Sequence, residues 1–137
     1  MALNNIFDVA GRALSAQMVR LDTVASNMAN AGTVAGSEQD AYRPMRPVFA
    51  TVYADASQQA GLSSVEVRDV VELDRKPLRS FQPDHPLADA EGFVYEAVVN
   101  REEEMVEMME ASRQYQNTLE VVTTLRTLMS RTVKMGQ

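Results

Sequence analysis

Residues 100–137 read NREEEMVEMMEASRQYQNTLEVVTTLRTLMSRTVKMGQ, and no other stretch says as much about the fold. Met105, Met108, Ser112, Tyr115, Leu119, Val122, Arg126, Met129 and Val133 recur at alternating steps of three and four. That repeat keeps one stripe of a helix turned toward a partner helix. Asn100 followed by Glu103 has the form of a capping box, with Asn in place of Ser or Thr. Glu102, Glu103 and Glu104 sit where the helix dipole favours negative charge, and Arg131 and Lys134 where it favours positive charge. Gly136 is placed to end the helix. A helix over 101–135 would span roughly 50 Å at about 1.5 Å per residue, longer than the body of a domain this small. A second apolar row, Val121, Leu125, Leu128 and Thr132, lies on an adjacent face, so one partner helix cannot cover it. Met105, Met108, Met109, Met129 and Met135 read equally as core filler and as an adaptable interface, since methionine is unbranched and polarizable.

The other end of the chain is written the same way. Leu3, Phe7, Ala10, Leu14, Gln17, Leu21, Val24 and Met28 alternate at four and three. A helix is predicted over 5–29, capped by Asn4 or Asn5 and supported by the Asp8/Arg12 pair four residues apart. Asn30 and Gly32 supply its stop. Gly11, inside it, reads either as a tolerated weak point or as a close approach by a neighbour. Between the helices, residues 33–41 are small and polar and read as a mobile loop. Residues 42–53 are β-prone behind Pro44 and Pro47, and 55–64 are loop. Val65, Val67, Val70, Val71 and Leu73 mark a second strand whose alternation slips near Asp69, as at a bulge. Residues 75–89, broken by Pro77, Pro83 and Pro86, are ordered by turns, and 92–99 form a last strand or an extended lead-in. The expected fold is therefore mainly α with a small β insert (α+β). Residues 1–32 and 100–137 would pair as a coiled coil, and 33–99 would form the β-rich insert.

Composition removes several functions. The chain has 137 residues and a net charge of -6, without the clustered Lys and Arg that neutralising a nucleic acid needs. It has no cysteine, hence no disulfide and no thiolate metal site. No apolar run approaches the roughly 20 residues of a membrane span, and no charged segment followed by an apolar block begins the chain. His85, the single histidine, lies in the turn Pro83-Asp84-His85-Pro86 without a ligand-spaced neighbour or a nucleophile beside it. Glu102, Glu103, Glu104, Glu107 and Glu110 read as a solvated, dipole-matched face rather than as acid–base pairs or metal ligands. The glycines are scattered and form no phosphate loop. No enzyme activity, cofactor, metal, nucleic-acid partner or membrane insertion is expected.

Ala25-Ser26-Asn27-Met28-Ala29-Asn30-Ala31-Gly32-Thr33 resembles the motif that ends the N-terminal helix in the bacterial flagellar rod, hook and filament-junction proteins. The stretch from Phe7 to Gln17, with Arg20-Leu21, resembles the rest of that helix. Four further stretches are similar to the short proximal-rod members of the family. They are Tyr42-Arg43-Pro44 with Pro47-Val48-Phe49, then His85-Pro86-Leu87-Ala88-Asp89, then Gly92-Phe93-Val94, and finally Glu107-Met108 with Glu110 to Tyr115. Two departures stand out. The family's usual Pro-Asn-Val-Asn before the last helix is Ala97-Val98-Val99-Asn100 here, and Met28 replaces Leu.

The resemblance implies an axial structural subunit of the proximal rod in the basal body, crossing the periplasm and transmitting torque. Its partners would be copies of itself, other proximal and distal rod proteins and the ring–rod junction protein. It would leave the cytoplasm through the flagellar type III export apparatus without a cleaved signal. Phe7, Leu14, Leu21, Met28, Tyr115, Leu119, Val122 and Met129 would pack the helix pair. Gln17, Asn27 and Asn30 are polar residues at or beside the seam, where buried amides fix register; for Asn30 a simple helix stop is an equal reading. Arg113 reads as a solvated residue that can reach Glu110 or a neighbour. The alternative of another class is a free-standing coiled-coil adaptor or export chaperone that binds partner helices.

Overall fold

The computed structural model describes residues 2–53 and 63–136. Two long helices, α1 (Ala2–Ala29) and α2 (Arg101–Met135), enclose five strands in the chain: β1 (Val34–Ala35), β2 (Met45–Tyr53), β3 (Ser63–Glu72), β4 (Leu78–Phe81) and β5 (Phe93–Glu96). The fold is α+β, as its sequence pattern predicts.

Helix α1 begins three residues earlier than expected, so Asn4 and Asn5 lie within it rather than capping it. It stops where the sequence says it should. Asn30 N–H bonds the Ser26 carbonyl, Thr33 N–H bonds the Asn30 carbonyl, and Gly32 takes the left-handed conformation (φ 82°) that a side chain disfavours. Gly11 has nothing within 4 Å of where a Cβ would stand, so no other part of the chain approaches it closely. Helix α2 has the predicted ends. The Asn100 side chain accepts from the Glu102 and Glu103 N–H groups, and Gly136 caps the far end through the Val133 carbonyl. The two helices run antiparallel, because Gln17 bonds Gln114, Arg20 bonds Glu107 and Asn27 bonds Glu104.

The strands form two small antiparallel sheets. β2 and β3 pair as a hairpin from Met45↔Glu72 to Tyr53↔Ser63, with a register shift where Val48 faces Asp69 and Phe49 faces Val67. Arg68 is the extra residue, beside the predicted slip at Asp69. The other sheet has the order β1-β5-β4. Two of its strands depart from expectation. β4 lies in the proline-broken stretch, and β1 lies in the supposed mobile loop, where Val34 and Ala35 pair with Glu96 and Tyr95 and Ala41 is buried. A two-residue strand carries no alternation to read. Most of the loop expected at 55–64 lies outside the described residues.

The buried apolar set is small: Ala10, Ala16, Val24, Ala41, Val94, Ala97 and Ala111. Alanines on facing helices permit close approach but bury little area, so polar groups do much of the joining.

Candidate assembly interface

Where α1 ends and α2 begins, the side chains form a buried polar knot. Asn27 is fully buried and uses its whole amide. Its Nδ2 donates to the Met45 carbonyl (2.9 Å) and to Glu104 Oε2 (3.1 Å). Its Oδ1 accepts from Tyr42 Oη and from Met45 N–H, both at 2.8 Å. An asparagine amide offers two donors and two acceptor lone pairs, and here all four are taken. Glu104, also 0% exposed, lies between that amide and Arg46. Arg46 Nη1 donates to its Oε2 (2.9 Å), and Arg46 Nη2 stands 2.6 Å from its Oε1. Burial works against the Arg46 charge, but the hydrogen bond and attraction to Glu104, with Glu103 and Glu107 adding, hold its proton more tightly than in an ordinary arginine.

The acidic start of α2 is thus matched by arginines from elsewhere in the chain. Glu103 takes Arg75 at 3.1 Å and Arg46 at 3.4 Å, so its carboxylate is engaged outside the expected capping box. Arg20 binds Glu107 at 2.5 Å and lies 3.7 Å from Glu110. Arg101 Nη2 reaches back to the Ala31 carbonyl past α1. The reading of these glutamates as a solvated face is corrected on that ground: Glu104 is interior, and Glu103 and Glu107 are paired. The sequence pattern conceals this because the partners lie at 20, 46 and 75, far along the chain. Among the described residues no group of three His, Asp or Glu could hold a metal ion.

The residues expected at the helix pair divide. Phe7, Leu14, Gln17, Leu21, Met28, Tyr115, Val122 and Met129 are all half-buried, and Asn27 is fully buried in the knot. Asn30 bonds the Ser26 carbonyl through its own Nδ2, the local helix-stop arrangement. Gln17 donates to Gln114 Oε1 at 2.8 Å, while its own Oε1 is buried without a protein partner. Leu119 is 41% exposed in the chain, while Thr118 is its half-buried neighbour. The covered row of α2 is Glu104, Met108, Ala111, Tyr115, Thr118, Val122, Leu125 and Met129, again at steps of four and three. Every second position falls one residue before the apolar reading. Three of these four shifted places, Glu104, Ala111 and Thr118, hold small or polar residues, and Asn27 of α1 supplies a partner to Glu104. Arg113 makes no ion pair among the described residues.

Beyond this row, α2 exposes large apolar side chains among its polar ones. Val121 is 54% exposed, Leu128 52% and Met135 87%, with Met105, Val106, Met109 and Val133 open as well. A shallow apolar groove of about 250 Å³ runs along Leu125, Leu128, Met129, Thr132 and Val133. No helix among the described residues is long and apolar enough to cross a membrane.

Comparison with known proteins agrees with both regions. A family model described as flagella basal body rod protein matches residues 7–35, and one described as the C-terminal part of flagellar basal body rod FlgEFG proteins matches 90–135. The flagellar basal-body rod protein FlgC of Yersinia enterocolitica is 44% identical over the full length of both chains. Those of Escherichia coli O157:H7 and Salmonella typhimurium are 43% and 42% identical, also over the full length of both. With likeness of 42–44% covering both chains from end to end, the chain belongs to the FlgC family of flagellar basal-body rod proteins.

Proposed function

We propose that this chain is a structural subunit of the proximal rod, polymerising through its terminal helices into the shaft that carries torque across the periplasm. Its partners on this reading are copies of itself, the other proximal and distal rod proteins and the ring–rod junction protein. The flagellar type III apparatus exports it without a cleaved signal. Residues 1–32 and 100–137 act as the inner unit, its helices paired as a coiled coil, and 33–99 as the outer insert. Phe7, Leu14, Leu21, Met28, Tyr115, Val122 and Met129 serve the pair, with Leu119 turned to a neighbour.

One observation carries the proposal. The chain exposes 9533 Å², whereas a compact monomer of 15.2 kDa exposes about 7,100 Å². Large apolar side chains, Val121, Leu128 and Val133 among them, stand open along α2, and clustered apolar surface of that kind marks contact with other proteins.

The test is complementation of a flagellated bacterium that lacks its own counterpart. The wild-type chain should restore swimming and appear in isolated basal bodies. A Val121→Asp/Leu128→Asp variant should keep its helical circular dichroism as a purified protein, yet give neither. Swimming by that variant would remove the α2 row from the interface. A wild-type chain that stays a soluble dimer and never enters basal bodies would point to the adaptor instead.

A further inference from the structure

We propose that Arg46 and Glu104 couple docking of the β2–β3 hairpin to pairing of α1 with α2, so that no stable state has paired helices and a free hairpin. Four segments meet at this point: the end of α1, the first residues of β2, the stretch just past β3, and the first turn of α2. Glu104 is fully buried, and its charge has two contacts, the Asn27 amide from α1 and the Arg46 guanidinium from β2. If α2 docked on α1 with β2 elsewhere, the carboxylate would lose its only counter-ion and keep one neutral amide. A buried charge stripped of its counter-ion is among the least tolerable arrangements in a protein.

The hairpin is bound in return. Met45, its first residue, has both backbone groups taken by Asn27, and Arg46 also bonds the Met45 carbonyl. The Leu73 N–H bonds the Pro44 carbonyl, closing the root of the hairpin. Arg75, just past β3, is held by Glu103 of α2. The hairpin root therefore lacks its partners until both helix ends are present. The coupling is independent of any role in the rod, because it is read on the isolated chain.

Native-state hydrogen exchange on the full-length protein, resolved by residue, tests it. In the wild type, the amides of α2 residues 105–111 and of β2 and β3 should open together, with protection equal within about threefold. Arg46→Met should lower protection in both regions by about 100-fold or more, in step. An Arg46→Met/Glu104→Leu pair removes both charges. It should restore the helix amides and leave the hairpin amides at least about tenfold less protected. Wild-type hairpin amides that exchange about tenfold faster than those of α2 would overturn the coupling, as would Arg46→Met deprotecting the hairpin alone. If Arg46→Met does not fold, Glu104→Gln replaces it: it keeps the shape and loses the charge. Parallel loss in both regions supports the proposal, and loss in one region refutes it.

Discussion

The first dozen residues of α2 and its last fifteen belong to one helix with opposite surroundings. Between 101 and 112, Glu104 and Ala111 are wholly buried, and arginines from α1, β2 and the stretch after β3 meet the glutamates. Between 121 and 135 no residue is buried, and Arg126, Arg131 and Lys134 make no ion pair among the described residues. Thr123, Thr127 and Thr132 bond the carbonyls four residues back, as threonines do on an exposed helix. The first part is specified by the chain's own tertiary contacts. The last part is specified by its helical repeat, and the chain itself buries none of its side chains fully. Buried charge is found only at the start of this helix, whereas exposed apolar side chains, from Met105 and Val106 to Val133 and Met135, run along its length.

The widest gap between the two parts should appear on losing one charge. Arg46→Ala leaves Glu104 buried without its cation and should lower stability by about 3–5 kcal/mol, read by urea unfolding. Leu128→Asp, at the other end, removes more apolar surface yet should change the stability of the isolated chain by less than about 0.5 kcal/mol. Equal effects would mean the helix is held uniformly, and the comparison would fail.

Asn27→Ala strips the Met45 backbone and Tyr42 of their partner and should destabilise by about 2–3 kcal/mol. Because Glu104 keeps Arg46, the loss should be smaller than for Arg46→Ala. A larger loss would make the amide, rather than the ion pair, the centre of the knot. Ala111→Leu sharpens the packing side of the argument. Ala111 is 0% exposed, so the larger side chain should push α1 away at about 1–3 kcal/mol. The same change at exposed Thr124 should be silent in thermal melts.

Local chemistry makes much of this fold legible in the sequence. The bounds of α2, its Asn100 cap and the stop of α1 follow from residues whose cause and effect lie within a few positions of each other. Hairpin strands and bulge follow from alternation. The seam register differs from the apolar pattern by one residue in alternate positions, because a search for apolar residues prefers Met105 and Leu119 to Glu104 and Thr118. Only the presence of Arg46 makes Glu104 an acceptable inward residue. β4 is hidden between Pro77 and Pro83, and its pairing with β5 is a tertiary fact. The knot itself is not legible in the sequence, since residues 27, 46, 75 and 104 meet only after folding.

The smallest expected effect concerns acid. The hydrogen bond from Arg75, together with the attraction of Arg75 and Arg46, outweighs burial and holds the Glu103 carboxyl below the ordinary glutamate value of 4.5. A carboxyl depressed by folding stabilises fully above its unfolded value and loses that contribution as pH falls through the folded one. Glu103 is largely solvated, so the effect is modest and screened by salt. Urea unfolding of wild type and Glu103→Gln should differ at pH 7 in low salt, and the gap should close as the pH drops below 4.5. The two proteins differ only at position 103, so the difference isolates Glu103. A gap that persists in acid would make Glu103 a packing residue rather than a charge, and the acidic start of α2 would then depend on Glu104 and Glu107 alone.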